Sequence, residues 1–368
     1  MLINAIHAKT GGGVTHLRNI LPFLAEDGRL EIHLFLHASQ FERFAPLHEG
    51  VRAHLFEFRE GFFRTLFWEQ IVVPIMARAM RADVTFSPAN YGPILAPNSV
   101  IMLRNVLSVV GRERRLSKRA YWVGLALMTV ISLLRSRHAI AVSDYALRTL
   151  TFGLRRIFPG RLSVVYHGVD PVFTPPPPGA RRERYLLAVG DIYVQKNFHT
   201  LIDALSLVRV RHPDVTLRIA GRRVDEGYYS EVMDRVAARG LEDAVAFLGP
   251  VARDHLSELY RHCALLVFPS TAESFGHPLV EAMASGTAVA SSDRSVMPEI
   301  LGDAGCYFDP LNPRLIADGI IRVLDEPGLA EDLAGKGRRR VERFSWANSA
   351  RRTADILARV GTAGRPAR

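Results

Sequence analysis

Pro269-Ser270-Thr271-Ala272-Glu273-Ser274-Phe275-Gly276-His277-Pro278-Leu279-Val280-Glu281-Ala282-Met283-Ala284-Ser285-Gly286 is the stretch whose reading decides the fold. It is preceded by the apolar run Ala-Leu-Leu-Val-Phe at 264–268 and followed by Ala-Val-Ala-Ser-Ser at 288–292, both of strand length. Between them a short helix has a start and a stop. Pro278 suits a first helical position, where its missing N–H costs nothing, and Gly286 suits the residue just past the end. Strand, loop, helix and strand in that order aim a helix N-terminus out of the carboxyl edge of a sheet, a site for an anion and above all for phosphate. Glu273 falls in the loop before the helix and Glu281 about one turn into it, so both can face one ligand. A carboxylate accepts two hydroxyl hydrogen bonds, which is what a sugar or ribose offers. Taken alone, the pair reads equally as two solvated acids on a buried βαβ unit.

Outward from this unit the same alternation continues. Strand-like runs are expected at 2–6, 31–36, 51–56, 83–87, 100–103, 139–142 and 162–166, with helices between them, for example over 14–25, 64–80 and 144–157. At 173–180, Phe-Thr-Pro-Pro-Pro-Pro-Gly-Ala breaks the pattern and reads as a stiff linker. A second series follows, with strands at 185–189, 215–219, 245–248, 264–268, 288–291 and 306–308. Alternation of this kind builds parallel sheets with helices on both faces. The fold class is α/β, with two Rossmann-like domains across a cleft and ligand at the strand carboxyl ends. The expected boundaries are 1–170, 171–345 and a final helix and tail at 346–368.

The 368 residues are 48% hydrophobic and 23% charged, the composition of an ordinary globular protein. Two cysteines, Cys263 and Cys306, lie in or beside apolar runs and read as small buried hydrophobes, not a disulfide framework. The N-terminus lacks a basic segment and a small-residue cleavage site, so a cytoplasmic protein is expected. The uncharged apolar run 120–134 is shorter than the roughly 18 residues a spanning helix needs. It reads as a buried helix or one lying near an interface. Charge is uneven. Residues 1–170 carry 21 Lys and Arg against 12 Asp and Glu, and residues 171–368 carry 26 against 25. The excess peaks around Arg112, Arg114, Arg115, Lys118 and Arg119. Such a field favours an anionic acceptor or an anionic membrane surface. Phe56, Phe58, Phe62, Phe63, Phe67 and Trp68, interleaved with Arg59 and Arg64, read as core and crossover packing or as an aromatic-basic edge against lipid.

Glu273-x7-Glu281 enclosing Phe275-Gly276-x-Pro278, then Glu-Ala-Met-Ala-x-Gly, resembles the family-4 retaining glycosyltransferases of GT-B fold. The resemblance extends over nearly the whole chain and is clearest in its carboxyl half. It implies a retaining transfer from a nucleotide-diphospho sugar to a glycan or lipid-linked acceptor, with no metal and no bound cofactor, at the cytoplasmic side and possible contact with the inner membrane face. On the residues it implies that Glu273 faces the transferred sugar and Glu281 the ribose, with Phe275, Gly276, His277 and Leu279 around the diphosphate. It also assigns Gly190 and Val251 to the donor. Lys196, in Lys196-Asn197 at a helix start, would neutralise the departing diphosphate.

The chain departs from the family in three places. Where many relatives pair that lysine with an arginine, this chain has Asp191 and Gln195, so the second cation falls to Arg222 or Arg223, which read equally as solvated loop residues. Where many end a strand with His-Asp, this chain has Arg104-Asn105: either Arg104 contacts sugar or phosphate, or the acceptor side differs. His167 stands where relatives have Asn before Gly-Val-Asp. Gly11-Gly12-Gly13, after the first strand, is a tight turn by itself; the resemblance places Gly12 and Gly13 against the donor phosphates from the opposite domain. No Cys/His cluster has metal-ligand spacing. The rival readings are a sugar-nucleotide epimerase of the same fold and, from the pI near 10.0, a nucleic-acid-binding protein, for which no module signature is present.

Overall fold

A computed structural model describes residues 1–8, 12–59, 61–105, 116–177 and 179–363. The cluster at Arg112, Arg114 and Arg115 lies outside the described residues, as do the side chains of Lys118 and Arg119. The chain divides into two compact units, one made of Met1–Gly168 with Ser345–Arg368 and the other of Val169–Phe344.

The first unit holds seven strands: β1 (Leu2–Asn4), β2 (Ile32–His37), β3 (Val51–Phe56), β4 (Thr85–Ser87), β5 (Ser99–Leu103), β6 (His138–Ala141) and β7 (Leu162–Val164). They pair in the order β3-β2-β1-β4-β5-β6-β7, parallel throughout. The second unit holds β8 (Glu183–Val189), β9 (Thr216–Ala220), β10 (Val245–Gly249), β11 (Cys263–Phe268), β12 (Val289–Ser292) and β13 (Gly305–Phe308). Their order is β10-β9-β8-β11-β12-β13, again parallel. Parallel strands need crossovers that cover both faces, so their side chains are buried on both sides and the sequence reads as unbroken apolar runs. Leu186, Leu217, Leu265 and Ala290 supply such runs to the core of the second unit, against Phe198, Leu201 and Ile202 of the helix Phe198–Arg211.

Each order reverses once, between β1 and β4 and between β8 and β11. At such a switch point adjacent loops leave in opposite directions and open a crevice at the carboxyl ends of the strands. The α/β, two-sheet expectation therefore holds. Cys263 and Cys306 are free and buried, and the last helix, Trp346–Ala363, packs against the helix Gly12–Glu26 within the first unit.

Two local readings change. The segment after Asp170 is no free spacer. Phe173 is buried edge-on against Tyr260, the Val172 carbonyl accepts Ser257 Oγ at 2.9 Å, and the Thr174 carbonyl accepts Arg261 Nε at 2.9 Å. One buried aromatic is enough to strap a proline-rich run onto its own unit. The helix expected over 64–80 is α at Phe62–Phe67, π at Trp68–Val72 and α again at Val73–Ala79. Pro74 has no N–H to give to residue 70, and the wide turn, in which Val73 N–H bonds the Trp68 carbonyl, absorbs the gap.

Candidate functional site

The site of the second unit lies at its switch point. The loop after β8 ends in a 3₁₀ turn, Val194–Lys196, and Asn197 follows in the left-handed conformation, φ 58°. Asparagine tolerates that backbone better than most residues. Its side chain ties the two switch-point loops together: Nδ2 donates to the Pro269 carbonyl at 3.2 Å and the Pro310 carbonyl at 2.6 Å, and Oδ1 accepts from Thr200. Thr271 N–H donates to the Gln195 carbonyl at 2.9 Å. These bonds fix Lys196 opposite Glu273.

Lys196 Nζ lies 2.6 Å from Glu273 Oε1 and 5.2 Å from the centre of the Phe268 ring. Burial by itself favours the neutral amine, but Glu273, Tyr193 and Asp191 outweigh it and hold the Lys196 pKa above its usual value. The ammonium is therefore charged throughout the physiological range. Gly190 makes room for it, since a Cβ there would come within 2.6 Å of Lys196 Cε. Glu273 is held from behind by Ser295, whose Oγ accepts Glu273 N–H at 3.0 Å and donates to its carbonyl at 2.7 Å.

The helix of the opening stretch runs His277–Ala284, so Pro278 is its second residue instead of its first. Gly276 precedes it with φ 81°, a backbone glycine adopts without strain, and Gly286 follows it with φ 64°. Phe275 is buried, edge-on to His277 and Phe344, and Leu279 is fully buried. Of the N–H groups at 276–279, Pro278 has none and that of Leu279 is spent on the Gly276 carbonyl.

Glu281 is partly exposed, and its Oε2 accepts the Tyr260 hydroxyl at 2.9 Å. Burial pushes its carboxyl up to about 7, against the pull of Tyr260, Arg253 and Lys196. Tyr260 is wholly buried, and burial followed by the Glu281 carboxylate raises its own pKa well above normal, so it stays a donor. Val251 lies in the turn between β10 and the helix Arg253–His262, whose Arg253 pairs with Asp170. The opening stretch contains no hint of Tyr260 or Ser295: they lie outside it, 21 and 22 residues in sequence from the glutamates they bond, and meet the site only through the fold.

Arg222 is bound to Asp191, its backbone N–H and its Nε each 3.1 Å from Asp191 Oδ1. Arg223 instead stacks over Tyr229 at 4.1 Å. Of the two arginines named for the second cation, Arg222 is thus the one held beside Gly190, by the very aspartate that stands where relatives carry arginine.

Gly12, Gly13 and Arg104 come together in the first unit. A Cβ on Gly13 would stand 2.7 Å from Arg104 Nη1, at the start of the helix Gly12–Glu26. Asn90 clamps the backbone: its Oδ1 accepts Arg104 N–H at 2.8 Å and Asn105 N–H at 3.0 Å. The guanidinium makes one long bond, 3.4 Å to the Pro88 carbonyl, and has no carboxylate partner among the described residues. Burial alone lowers its pKa to about 10. His167 Nδ1 lies 3.1 Å from His16 Nδ1, and both rings pack near Trp346. Near the switch point of this unit, His7 Nε2 meets the buried Glu69 at 2.6 Å. Among the described residues no group of three His, Cys, Asp or Glu side chains is placed to hold a metal ion.

Residues 175–340, which contain β8 to β13 and the Lys196–Glu273 pair, match the family model for glycosyl transferases group 1. This segment is a group 1 glycosyl transferase domain. The domain is 32% identical to part of the O-antigen chain mannosyltransferase B of Escherichia coli, over 46% of this chain and 44% of that protein. The chain thus spans about half the length of the curated relatives it matches. The fold likeness reaches further than the domain. Sucrose-phosphate synthase from Thermosynechococcus elongatus superposes with a TM-score of 0.77 at 18% identity, over 98% of this chain and 99% of that one. Anabaena Alr3699/HepE, solved in complex with UDP, superposes at 0.77 and 20% identity, over 97% and 99%. These likenesses establish a GT-B fold over the whole chain.

Proposed function

We propose that this chain is a retaining glycosyltransferase that moves a sugar from a nucleotide-diphospho donor to a glycan or lipid-linked acceptor. The observation that carries the reading is the 2.6 Å Lys196–Glu273 pair set at the switch point of a group 1 domain, beside the N-terminus of the helix that carries Glu281. A permanently charged ammonium, backbone N–H groups at a helix start and two carboxylates are what a diphosphate flanked by a ribose and a sugar calls for. The mannosyltransferase relative and the UDP complex of the fold neighbour support the same donor class.

In this reading Glu281 accepts the ribose hydroxyls, Glu273 fixes hydroxyls of the sugar, and Lys196 meets the charge that grows on the diphosphate as the bond to the anomeric carbon breaks. The acceptor hydroxyl attacks that carbon from the face the diphosphate leaves, and its proton passes to the departing phosphate oxygen. No nucleophile from the chain is required. Lys196, with Arg222 as the second cation, and the helix start supply the counter-charge without a metal. Gly12, Gly13 and Arg104 belong to a second anion-seeking surface in the first unit.

The test is a thermal-shift screen of nucleotide-diphospho sugars that differ in base and sugar. A ligand at 100 times its dissociation constant adds about 2.7 kcal/mol of stability. Stabilisation by one donor class, followed by acceptor-dependent release of the nucleoside diphosphate, is expected. Turnover of the donor sugar without an acceptor would favour an epimerase. Salt-sensitive DNA binding with no response to any donor would sink the reading in favour of a nucleic-acid-binding protein.

A further inference from the structure

The helical segment 62–79 of the first unit carries an apolar row on its outer face. Its buried positions are Thr65, Glu69, Val73, Pro74 and Ala77, and Glu69, wholly buried, bonds Asn4 and His7. Four exposed positions recur every four residues and are apolar, Phe63 at 82% exposed, Phe67 at 57%, Ile71 at 43% and Ile75 at 59%, and Arg64 and Arg78 are exposed beside them. A surface helix ordinarily turns its polar face outward, and a continuous exposed apolar row marks a contact surface.

A second row joins it. On the helix Leu116–Arg135, Val123, Leu127 and Leu134 are exposed at 50% or more and share one face. The loop 92–95 clasps the two helices together. Gln70 bonds the Gly92 carbonyl and the Ile94 N–H, Ser132 Oγ accepts Gly92 N–H, and Arg78 donates to the Leu95 carbonyl. Leu95 itself is exposed between the rows. Beside it opens a cavity of about 620 Å³ whose charged lining is Arg78, Arg135, Arg137 and Arg161, with no Asp or Glu. Neither helix exposes an acid among its described residues.

We propose that this face of the first unit docks on an anionic lipid surface, with the two apolar rows entering the acyl boundary and the four arginines taking headgroup phosphates. The charge pattern selects the occupant. A second copy of the chain would bring the same cations to face these and be repelled, whereas apolar rows rimmed by cations match an interface of acyl chains and phosphates. No helix among the described residues is long and apolar enough to cross a membrane, so the contact is a surface one. Phe63, Phe67 and Arg64 belong to the aromatic-basic edge singled out in the sequence, and the proposal stands independently of the donor site.

The experiment is co-sedimentation of the full chain with phosphatidylcholine vesicles and with vesicles of 70% phosphatidylcholine and 30% phosphatidylglycerol, at low and high salt. The wild type should pellet with the anionic vesicles alone, and less at high salt. Arg135→Glu with Arg137→Glu should lower that partition on the order of a hundredfold, because each basic group near such a surface contributes several-fold. Phe67→Ser with Ile75→Ser should lower it at both salt concentrations. Arg339→Glu with Arg343→Glu, the same charge change in the second unit, should leave most of it. These positions are exposed, so folding should survive, with donor binding as the check. Failure of the wild type to pellet overturns the proposal, as does an equal loss in the second-unit control. A dimer in solution that Phe67→Ser with Ile75→Ser dissociates would assign the face to a second copy and overturn it too.

Discussion

Glu281→Gln should make the protein more stable and a worse binder at once. The carboxyl is raised from 4.5 to about 7, with burial as the chief cause. A raised carboxylate pKa means the folded state resists ionisation. Below about pH 4.5 the group is protonated whether folded or unfolded and costs nothing. Between 4.5 and 7 the unfolded chain ionises first and stability falls, and above 7 the full cost stands. At about 1.4 kcal/mol per unit, trimmed for the part of the side chain that water still reaches, the cost is on the order of 2–3 kcal/mol. Glutamine keeps an oxygen for the Tyr260 hydroxyl and carries no charge. At pH 8 the variant should therefore unfold several degrees higher than the wild type, since about 1 kcal/mol moves a domain of this size by roughly 2–4 °C. At pH 4.5 the two should coincide. Binding moves the other way. An ionised acceptor of ribose hydroxyls is worth about 1–3 kcal/mol, so donor affinity should fall roughly ten- to a hundredfold at pH 8. Wild-type affinity should rise as pH passes through 7, and that of the variant should stay flat. A nucleotide sugar is the right probe, because its diphosphate does not titrate there. Differential scanning fluorimetry and titration calorimetry from pH 5 to 9 read both effects. A variant that is less stable at pH 8 refutes the burial cost, and one that binds donor as tightly as the wild type refutes the ribose role.

Lys196→Ala should depress kcat far more than it changes donor affinity, because its charge counts most as the bond breaks; a change confined to KM in steady-state kinetics would make it a uniform binder. Gly190→Ala drives a methyl into the Lys196 stem, which a Cβ would meet at 2.6 Å, so it should reproduce much of that loss with the lysine still present. Arg104→Met removes a guanidinium that has no carboxylate partner among the described residues and should leave the melting temperature unchanged or raise it, while lowering turnover. A clear drop in melting temperature would make Arg104 a structural residue.

The strands, their parallel class and the helix that follows Gly276 were legible because each is encoded locally. An apolar run of five or six residues has only a doubly covered strand to become, and Pro278 and Gly286 act on their own backbone. Glu273, Glu281 and Lys196 could be singled out because each sits in a short motif. What they meet could not. Tyr260 reaches Glu281 from the preceding helix, Ser295 holds Glu273 from beyond β12, and Asp191 claims Arg222 from the next strand loop. Those partners are set by strand order, a property of the whole sheet. The segment 62–79 makes the same point: its phenylalanines read in the sequence either as core and crossover packing or as an aromatic-basic edge, since periodicity tells which residues share a face but not which way the face turns. In the fold Glu69, bonded to Asn4 and His7, turns inward with Val73, Pro74 and Ala77, and the apolar row stays outside.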